Sequence, residues 1–188
     1  MTQAQAISKT IERVLNAGLM SNKSDGDFHP EAIVTRAELA SILAKTFKLE
    51  KRNTAAKEDI EVKDVSRDRS DYSAIQLVLK TGVMSGYREG MFFPHQKVNR
   101  AEGFAIFAQA YGVFQFSEDT VAEILGQYPD AGEVPDWAKK AIATALQEGF
   151  VNTDVYLQIL PLNPMTRTDM AFALSQYLDK QQQASFSQ

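Results

Sequence analysis

The chain has 188 residues, 44% of them hydrophobic, with a formal net charge of −4 and a pI near 5.3. This size supports a real core, in one compact domain or in a few small repeated units, and the acidic balance argues against a nucleic-acid partner. Cysteine is absent, which excludes disulfides, thiolate metal sites and cysteine nucleophiles, and no apolar run approaches the length of a membrane span.

The N-terminal segment predicts an amphipathic helix, because Ile7, Ile11 and Val14 recur at helical spacing before Gly18. This segment lacks the basic and apolar regions of a secretory signal. A turn-rich loop, "SDGDFHP", follows and ends at Pro30. The sequence therefore begins with a helix, a helix-ending glycine and a structured loop.

A second helix is predicted to begin after Thr35. The Thr35 side chain can cap the backbone, and Glu38 can reach back to the cap in a capping box. Arg36 is unexpected here, because the positive end of a helix dipole favours acids. Arg36 therefore has either a structural role, bracing its loop, or a role in holding a ligand.

The same order of elements returns twice, in fixed register. A glycine lies eighteen residues before Arg36, Arg100 and Arg167, and a proline lies six residues before each of them. The further markers are Gly82, Gly149, Pro94 and Pro161, and the further capping pairs are Asn99 with Glu102 and Thr166 with Asp169. Three markers in register, three times, indicate three helical hairpins, each with a structured connecting loop.

This register divides the chain into repeats and connectors. We predict repeat one at 1–49, a charged linker and lead-in at 50–71, repeat two at 72–112, an insert with a short helix at 113–127, repeat three at 128–179 and a frayed tail at 180–188. Seven residues after each arginine, the sequence predicts equivalent buried side chains: Leu43, Phe107 and Leu174. We also expect Trp137 to pack within its lobe.

These motifs resemble the S-layer homology (SLH) family. Repeat two matches its pattern from "VKDV" through "GVMSGYREGMFFP" to "VNRAE"; repeats one and three keep "VTRAE" and "MTRTD". Repeat three departs from the family loop, with Thr153 and Leu157 in place of glycines. The resemblance implies an all-α fold, in which three helical hairpin repeats form a three-lobed, pseudo-threefold arrangement around a central three-helix bundle.

The resemblance also implies a function. Known members bind non-covalently to acidic, often pyruvylated, cell-wall glycans, and the arginine of T-R-A-E lines grooves between repeats. The candidate ligand-binding residues are therefore Arg36, Arg100, Arg167, Tyr87 and Gly86, supported by the capping residues Thr35, Glu38, Asn99, Glu102, Thr166 and Asp169. Arg100 and Tyr87 are expected to share the best site, the groove served by repeat two, because only this repeat keeps both the glycine-flanked loop and the capped arginine.

No catalytic, cofactor or metal site is predicted. The chain lacks a phosphate-binding glycine loop and a hydrolase or zinc-protease motif, and no partner at ligand spacing is recognised for His29 or His95. The first hypothesis is a wall-glycan anchor excised from an exported protein of the cell envelope. The alternative is a cytoplasmic protein-docking scaffold, favoured if Met1 is the native start.

Overall fold

Seven α-helices build the protein. The computed structural model describes the backbone of residues 1–188 and every side chain except that of Arg88; within that description no β-strand occurs, and the predicted all-α class is confirmed. The helices are α1 (Gln3–Asn16), α2 (Arg36–Thr46), α3 (Tyr72–Lys80), α4 (Arg100–Tyr111), α5 (Glu118–Leu125), α6 (Lys139–Gln147) and α7 (Arg167–Phe186). None of these helices is both long and apolar enough to cross a lipid bilayer.

Local sequence signals set the helix ends. Side chains cap α2, α4 and α7 by accepting the backbone N–H three residues ahead; the caps are Thr35, Asn99 and Thr166, at 3.2, 2.8 and 3.1 Å. Gly18, Gly82 and Gly149 follow α1, α3 and α6 with φ of 72°, 74° and 78°, in the left-handed conformation predicted for a helix C-terminus. Ser117 caps α5 in the same way.

The helices of one repeat follow each other in sequence, but their main packing partners lie in neighbouring repeats. α2 of repeat one packs on α3 of repeat two, and α4 of repeat two packs on α6 of repeat three. α7 of repeat three packs on α1, so the last helix returns to the first. Each helical pair therefore joins two repeats, because the connecting loop carries the second helix away from the first.

The segments that lead into α2, α4 and α7 meet in a cycle of backbone hydrogen bonds. Val34 N–H donates to the carbonyl of Met165, Met165 N–H to that of Val98, and Val98 N–H to that of Val34, at 2.9, 3.0 and 3.0 Å. Packing here is tight, because a Cβ on Gly103 would lie 1.9 Å from the Met165 sulfur. The three repeats are thus linked in cyclic order at one buried point.

The predicted equivalent side chains Leu43, Phe107 and Leu174 are all fully buried, which confirms that prediction. Nearby aromatic rings connect the three second helices. Phe47, which ends α2, lies 5.2 Å from Phe107 of α4 and 4.8 Å from Tyr177 of α7 between ring centroids. The sides of α2, α4 and α7 that carry these three residues therefore face one core, which the three repeats share.

The segment 50–71 is mostly exposed, as expected for a solvated linker, but side-chain contacts also fix it to the core at a few points. Arg52 donates to the carbonyl of Ala110 at 2.5 Å. The backbone N–H and carbonyl of Ile60 both bond the buried side chain of Gln76, at 2.8 and 2.7 Å. The charged composition thus predicted the exposure of the segment, but it gave no sign of these specific contacts.

Two further predictions are wrong. Residues 180–186 continue α7 instead of fraying, because the sequence "KQQQASF" contains good helix formers without glycine or proline, and Lys180 pairs with Glu148. Trp137 does not pack within its lobe: it is 65% exposed in a short 3₁₀ turn at Asp136–Ala138, and Ala138 occupies the buried position.

Candidate functional site

Each repeat arginine crosses into the loop of the following repeat. Its Nε donates to the carbonyl two residues before the loop proline, and its Nη2 donates to the carbonyl nine residues before it. The acceptors are Phe92 and Ser85 for Arg36, Ile159 and Asn152 for Arg100, and Phe28 and Ser21 for Arg167, at 2.6–2.9 Å. Each arginine is 4% exposed. These are bracing contacts between repeats.

A carboxylate completes two of these three sites. Arg167 Nη1 lies 2.8 Å from Glu38 Oε2, and Arg100 Nη1 lies 3.0 Å from Asp169 Oδ1. Arg36 forms no ion pair among the described side chains; Glu102, which stands at the position of Glu38 and Asp169, bonds the N–H of Asn99 in a capping box. Burial lowers the pKa of Arg36, and the nearby negative charge of Glu102 acts in the opposite direction.

The capping box predicted for Thr35 and Glu38 is half formed. Thr35 accepts the N–H of Glu38, but the Glu38 carboxylate turns away to Arg167 and to Lys23, whose Nζ lies 3.0 Å from Oε2. The Thr166–Asp169 pair makes both capping bonds. Glu38 therefore serves the contact between repeats instead of its own helix start.

The three loops share one conformation. The residue before each loop proline is left-handed, at His29, Phe93 and Leu160, with φ of 55°, 56° and 53°. Leu157 also has φ of 60°, where the other loops have Gly26 and Gly90. The loop of repeat three therefore keeps the geometry although it has lost the glycine.

Aspartates of the lead-in segments hold two of these loops. Asp64 of "VKDV" accepts the backbone N–H groups of Phe92 and Phe93, at 2.8 and 2.7 Å. Asp130 of "YPD" accepts those of Ile159 and Leu160, at 2.9 and 2.8 Å. A physical role for the lead-in motif follows: it fixes the strained turn that presents carbonyls to the arginine of the preceding repeat.

We name each groove after the repeat whose loop forms it. Groove one is a cavity of about 310 Å³ between the loop of repeat one and α2, closed at one end by Arg167. Groove three, about 430 Å³, lies between the loop of repeat three, α7 and α1, with Arg100 at its base. Groove two is the corresponding position at the loop of repeat two, α4 and Arg36.

Groove one is positively charged. Lys23, Lys45 and Arg167 line it together with one carboxylate, Glu38. Lys45 is exposed and has no ion-pair partner among the described residues. Glu38 Oε1 is buried without a hydrogen-bond donor, while its second oxygen takes both ion pairs. The groove therefore offers one free cation, Lys45, to an anionic ligand.

The expectation that Tyr87 and Arg100 share a groove is wrong. Arg100 meets the loop of repeat three, whereas the Tyr87 ring lies over the guanidinium of Arg36, 4.6 Å from its centroid. Gly86 stands where the loop closes on itself, since a Cβ there would lie 3.3 Å from the carbonyl of Met91. The arginine of one repeat always meets the loop of the next.

One group of possible metal ligands occurs in the described part of the chain. Asp25, Asp27 and His29 place one ligand atom each within 4.8 Å of one another, and all three are exposed. His29 Nε2 lies 2.6 Å from Asp25 Oδ2. The prediction that His29 has no partner at ligand spacing is wrong, because the turn of the loop brings these side chains together.

Comparison with known proteins places this cyclic arrangement of repeats in a family. The S-layer homology domain pattern matches residues 2–40, 63–102 and 127–171, which is more than half of the chain. This chain belongs to the S-layer homology domain family. The three SLH matches each contain one groove arginine.

Three SLH relatives show where such chains occur. The Surface-layer 125 kDa protein of Lysinibacillus sphaericus is 26% identical over 91% of this chain and 14% of its own length. An Endoglucanase of Bacillus sp. (strain KSM-635) is 30% identical over 86% of this chain and 16% of its own. The Cellulosome-anchoring protein of Acetivibrio thermocellus is 27% identical over 72% of this chain and 30% of its own. The chain thus spans less than a third of each relative.

Sequence reasoning found the arginines but missed the lysines of groove one. Lys23 and Lys45 were not among the predicted site residues, because nothing in one sequence shows that a loop lysine and a helix lysine face one cavity. A signal for Lys23 was available, however. It stands seven residues before the loop proline, where the family loop of repeat two has Tyr87.

Proposed function

We propose that this SLH chain is a non-catalytic anchoring module that binds an acidic cell-wall glycan, with groove one as its main site. The observation that carries the proposal is the charge of groove one, where three cationic side chains face a single carboxylate. The relatives named for the surface layer and for cellulosome anchoring support a role at the cell surface.

The proposed roles follow from the contacts. Lys45, which has no ion-pair partner among the described residues, and Lys23 meet the carboxylate of an acidic or pyruvylated sugar, while Glu38 holds Lys23 and Arg167 in place. Arg167 fixes the wall of the groove through its bonds to Phe28 and Ser21. Arg36 and Arg100 do the same for the other two loops, while Gly86 and Tyr87 belong to groove two.

Co-sedimentation with purified cell-wall sacculi tests this proposal. Wild type should sediment with sacculi that retain their acidic polymer and stay in solution with sacculi from which the polymer has been stripped. Lys45→Gln should weaken binding by about tenfold to a hundredfold, because a charge-assisted hydrogen bond contributes about 1.5–3 kcal/mol. Lys51→Gln is the matched control, since Lys51 is an exposed lysine outside the grooves.

The outcomes separate the site from the function. If wild type does not sediment with polymer-bearing sacculi, the anchor proposal is overturned. If it sediments and Lys45→Gln binds as well as Lys51→Gln, the protein binds walls through a different surface. Loss of binding in both variants to the same extent would indicate a response to net charge alone.

A second candidate, a protein-docking scaffold, is favoured by one surface. The loop tip of repeat three carries three consecutive exposed apolar residues, Val155, Tyr156 and Leu157, at 90%, 75% and 56% exposure. The equivalent positions of repeat one are Ser24, Asp25 and Gly26. If wall binding fails, this tip is the surface to test, with a triple serine variant that should release a co-purifying protein without unfolding.

A further inference from the structure

One loop position carries a different chemical group in each repeat. Seven residues before the loop proline stand Lys23, Tyr87 and Asp154. Their backbone N–H groups make the same hydrogen bond across the turn, to the carbonyls of Asp27, Met91 and Gln158, at 2.8, 2.8 and 3.3 Å. Because the backbone is held in the same way, the three side chains leave equivalent points of the three loops. We call this place the selector position.

In groove one the selector is a cation. Lys23 is 44% exposed at its side chain and pairs with Glu38, so its ammonium lies at the groove wall beside Arg167. Lys45 adds a second ammonium from the helix wall. The balance is three positive side chains to one carboxylate, which favours an anionic ligand.

In groove two the selector is an aromatic cover. The Tyr87 and Phe92 rings lie on the guanidinium of Arg36, each with its centroid 4.6 Å away. The hydroxyl of Tyr87 accepts a hydrogen bond from Gln96 at 3.2 Å, and Phe93 contacts its ring edge-on at 5.1 Å. These contacts hold Tyr87 over Arg36, whereas Lys23 and Asp154 place no ring at the same position of grooves one and three.

In groove three the selector is an anion. Arg100 is already paired with Asp169, so Asp154 adds a negative charge without a cation to balance it. One Asp154 oxygen accepts the N–H groups of Tyr156 and Gln158, both at 2.9 Å, which keeps the carboxylate in place. Two carboxylates to one guanidinium disfavour an anionic ligand.

We infer that the selector position determines the ligand class of each groove. Groove one accepts an acidic sugar, groove two is closed by Tyr87, and groove three rejects anions and suits a neutral or amine-bearing sugar. The apolar wall of groove three, with Ile7, Leu160 and Phe172, gives a sugar ring a face to lie against. This inference rests on the proposed function and makes the three grooves chemically unequal.

A gain-of-function exchange tests the inference. Asp154→Lys should turn groove three into a second, weaker acidic-sugar site, because it places an ammonium where Lys23 stands in groove one, whereas Gln176 stays at the position of Lys45. The loop should keep its shape, since repeats one and two form the same turn with Lys23 and Tyr87 at this position. Lys23→Asp should remove the first site. Asp154→Asn, which removes the charge without adding an ammonium, is the control.

Isothermal titration calorimetry with a pyruvylated hexose monosaccharide measures the number of sites. We expect one site for wild type and for Asp154→Asn, two for Asp154→Lys, and at least tenfold weaker binding for Lys23→Asp, with all variants melting as folded proteins. A single site in Asp154→Lys, or unchanged affinity in Lys23→Asp, overturns the inference. Wild type that sediments with sacculi but does not bind this probe overturns the selector role and leaves wall binding intact.

Discussion

Single residues hold the loops in conformations that their side chains rarely adopt. Phe93 and Leu160 are left-handed although neither is glycine, and the cost of such a conformation is about 1–2 kcal/mol per residue. The carboxylates of Asp64 and Asp130 offset this cost by accepting two N–H groups each. Each strained turn is stable because an aspartate carboxylate accepts hydrogen bonds from its backbone.

Asp130→Ala should therefore destabilise the protein by about 2–3 kcal/mol, because hydrogen bonds to a charged acceptor are lost and a partly buried N–H of Ile159 has no replacement. Urea unfolding followed by circular dichroism measures this change. Asp136→Ala is the control: Asp136 pairs with Lys139 at the surface and should leave the unfolding midpoint unchanged. Equal midpoints for the two variants would contradict the role of Asp130.

Leu157→Gly should be tolerated, because Leu157 has φ of 60° where repeats one and two use glycine. Relief of backbone strain offsets the added entropy of the unfolded chain. Leu162 gives a matched control, since it is exposed to a similar degree, 57% against 56%, and is absent from the left-handed residues. Differential scanning fluorimetry should show a higher melting temperature for Leu157→Gly than for Leu162→Gly; the reverse order would argue against strain.

At the scale of the helices, the aromatic cluster links all three repeats. Phe107 of α4 is fully buried between Phe47 and Phe150, with ring centroids 5.2 and 5.1 Å away. Phe107→Ala should cost about 3–5 kcal/mol, since a large cavity would form where rings from different repeats meet. Thermal unfolding of the variant and of wild type measures this loss of stability. A variant that melts with wild type would mean that the α4 face is not part of the core.

Helix pairing between repeats makes a separate prediction. Arg13 of α1 donates to the carbonyl of Ser175 and pairs with Asp179, both on α7. Arg13→Ala should therefore increase amide hydrogen exchange in the last turns of α7 and leave α2, the other helix of repeat one, unchanged. Faster exchange in α2 instead of α7 would indicate that α1 packs within its own repeat.

The local elements were predictable from the sequence, and their partners were not. Glycine, proline and capping residues act within a few residues, so the positions of Gly18, Gly82 and Gly149 at helix ends follow from the pattern alone. Helical periodicity shows which face is buried but not against which helix. The pairing of α1 with α7 depends on contacts across 150 residues or more.

The same limit applies to the candidate site. The arginine register was visible, because it repeats, and so was the alternative that the arginines brace loops. The groove lysines, Lys23 and Lys45, become a pair only when a loop and a helix face the same cavity. Tyr87 was placed beside Arg100 because both belong to repeat two, whereas the fold brings each loop to the arginine of the preceding repeat.

The whole molecule is closed on itself, which distinguishes it from an open array of repeats. Arg36 holds the loop of repeat two, Arg100 that of repeat three, and Arg167 that of repeat one. The backbone follows the same cycle, since the N–H of Thr168 at the start of α7 donates to the carbonyl of Pro30 at 3.0 Å. No repeat can open without releasing contacts in both neighbours.

Cyclic closure predicts one cooperative unfolding transition. In an open array each repeat contacts only its neighbours, so terminal repeats can unfold separately. Here the loss of repeat three would remove Arg167 from the loop of repeat one and α7 from α1, and would take the loop carbonyls from Arg100. Scanning calorimetry of the full chain should give a single peak, with calorimetric and van't Hoff enthalpies equal. The fragment 1–112 should lack a cooperative transition altogether. Two resolved peaks in the full chain, or a folded 1–112 fragment, would show that the repeats are independent.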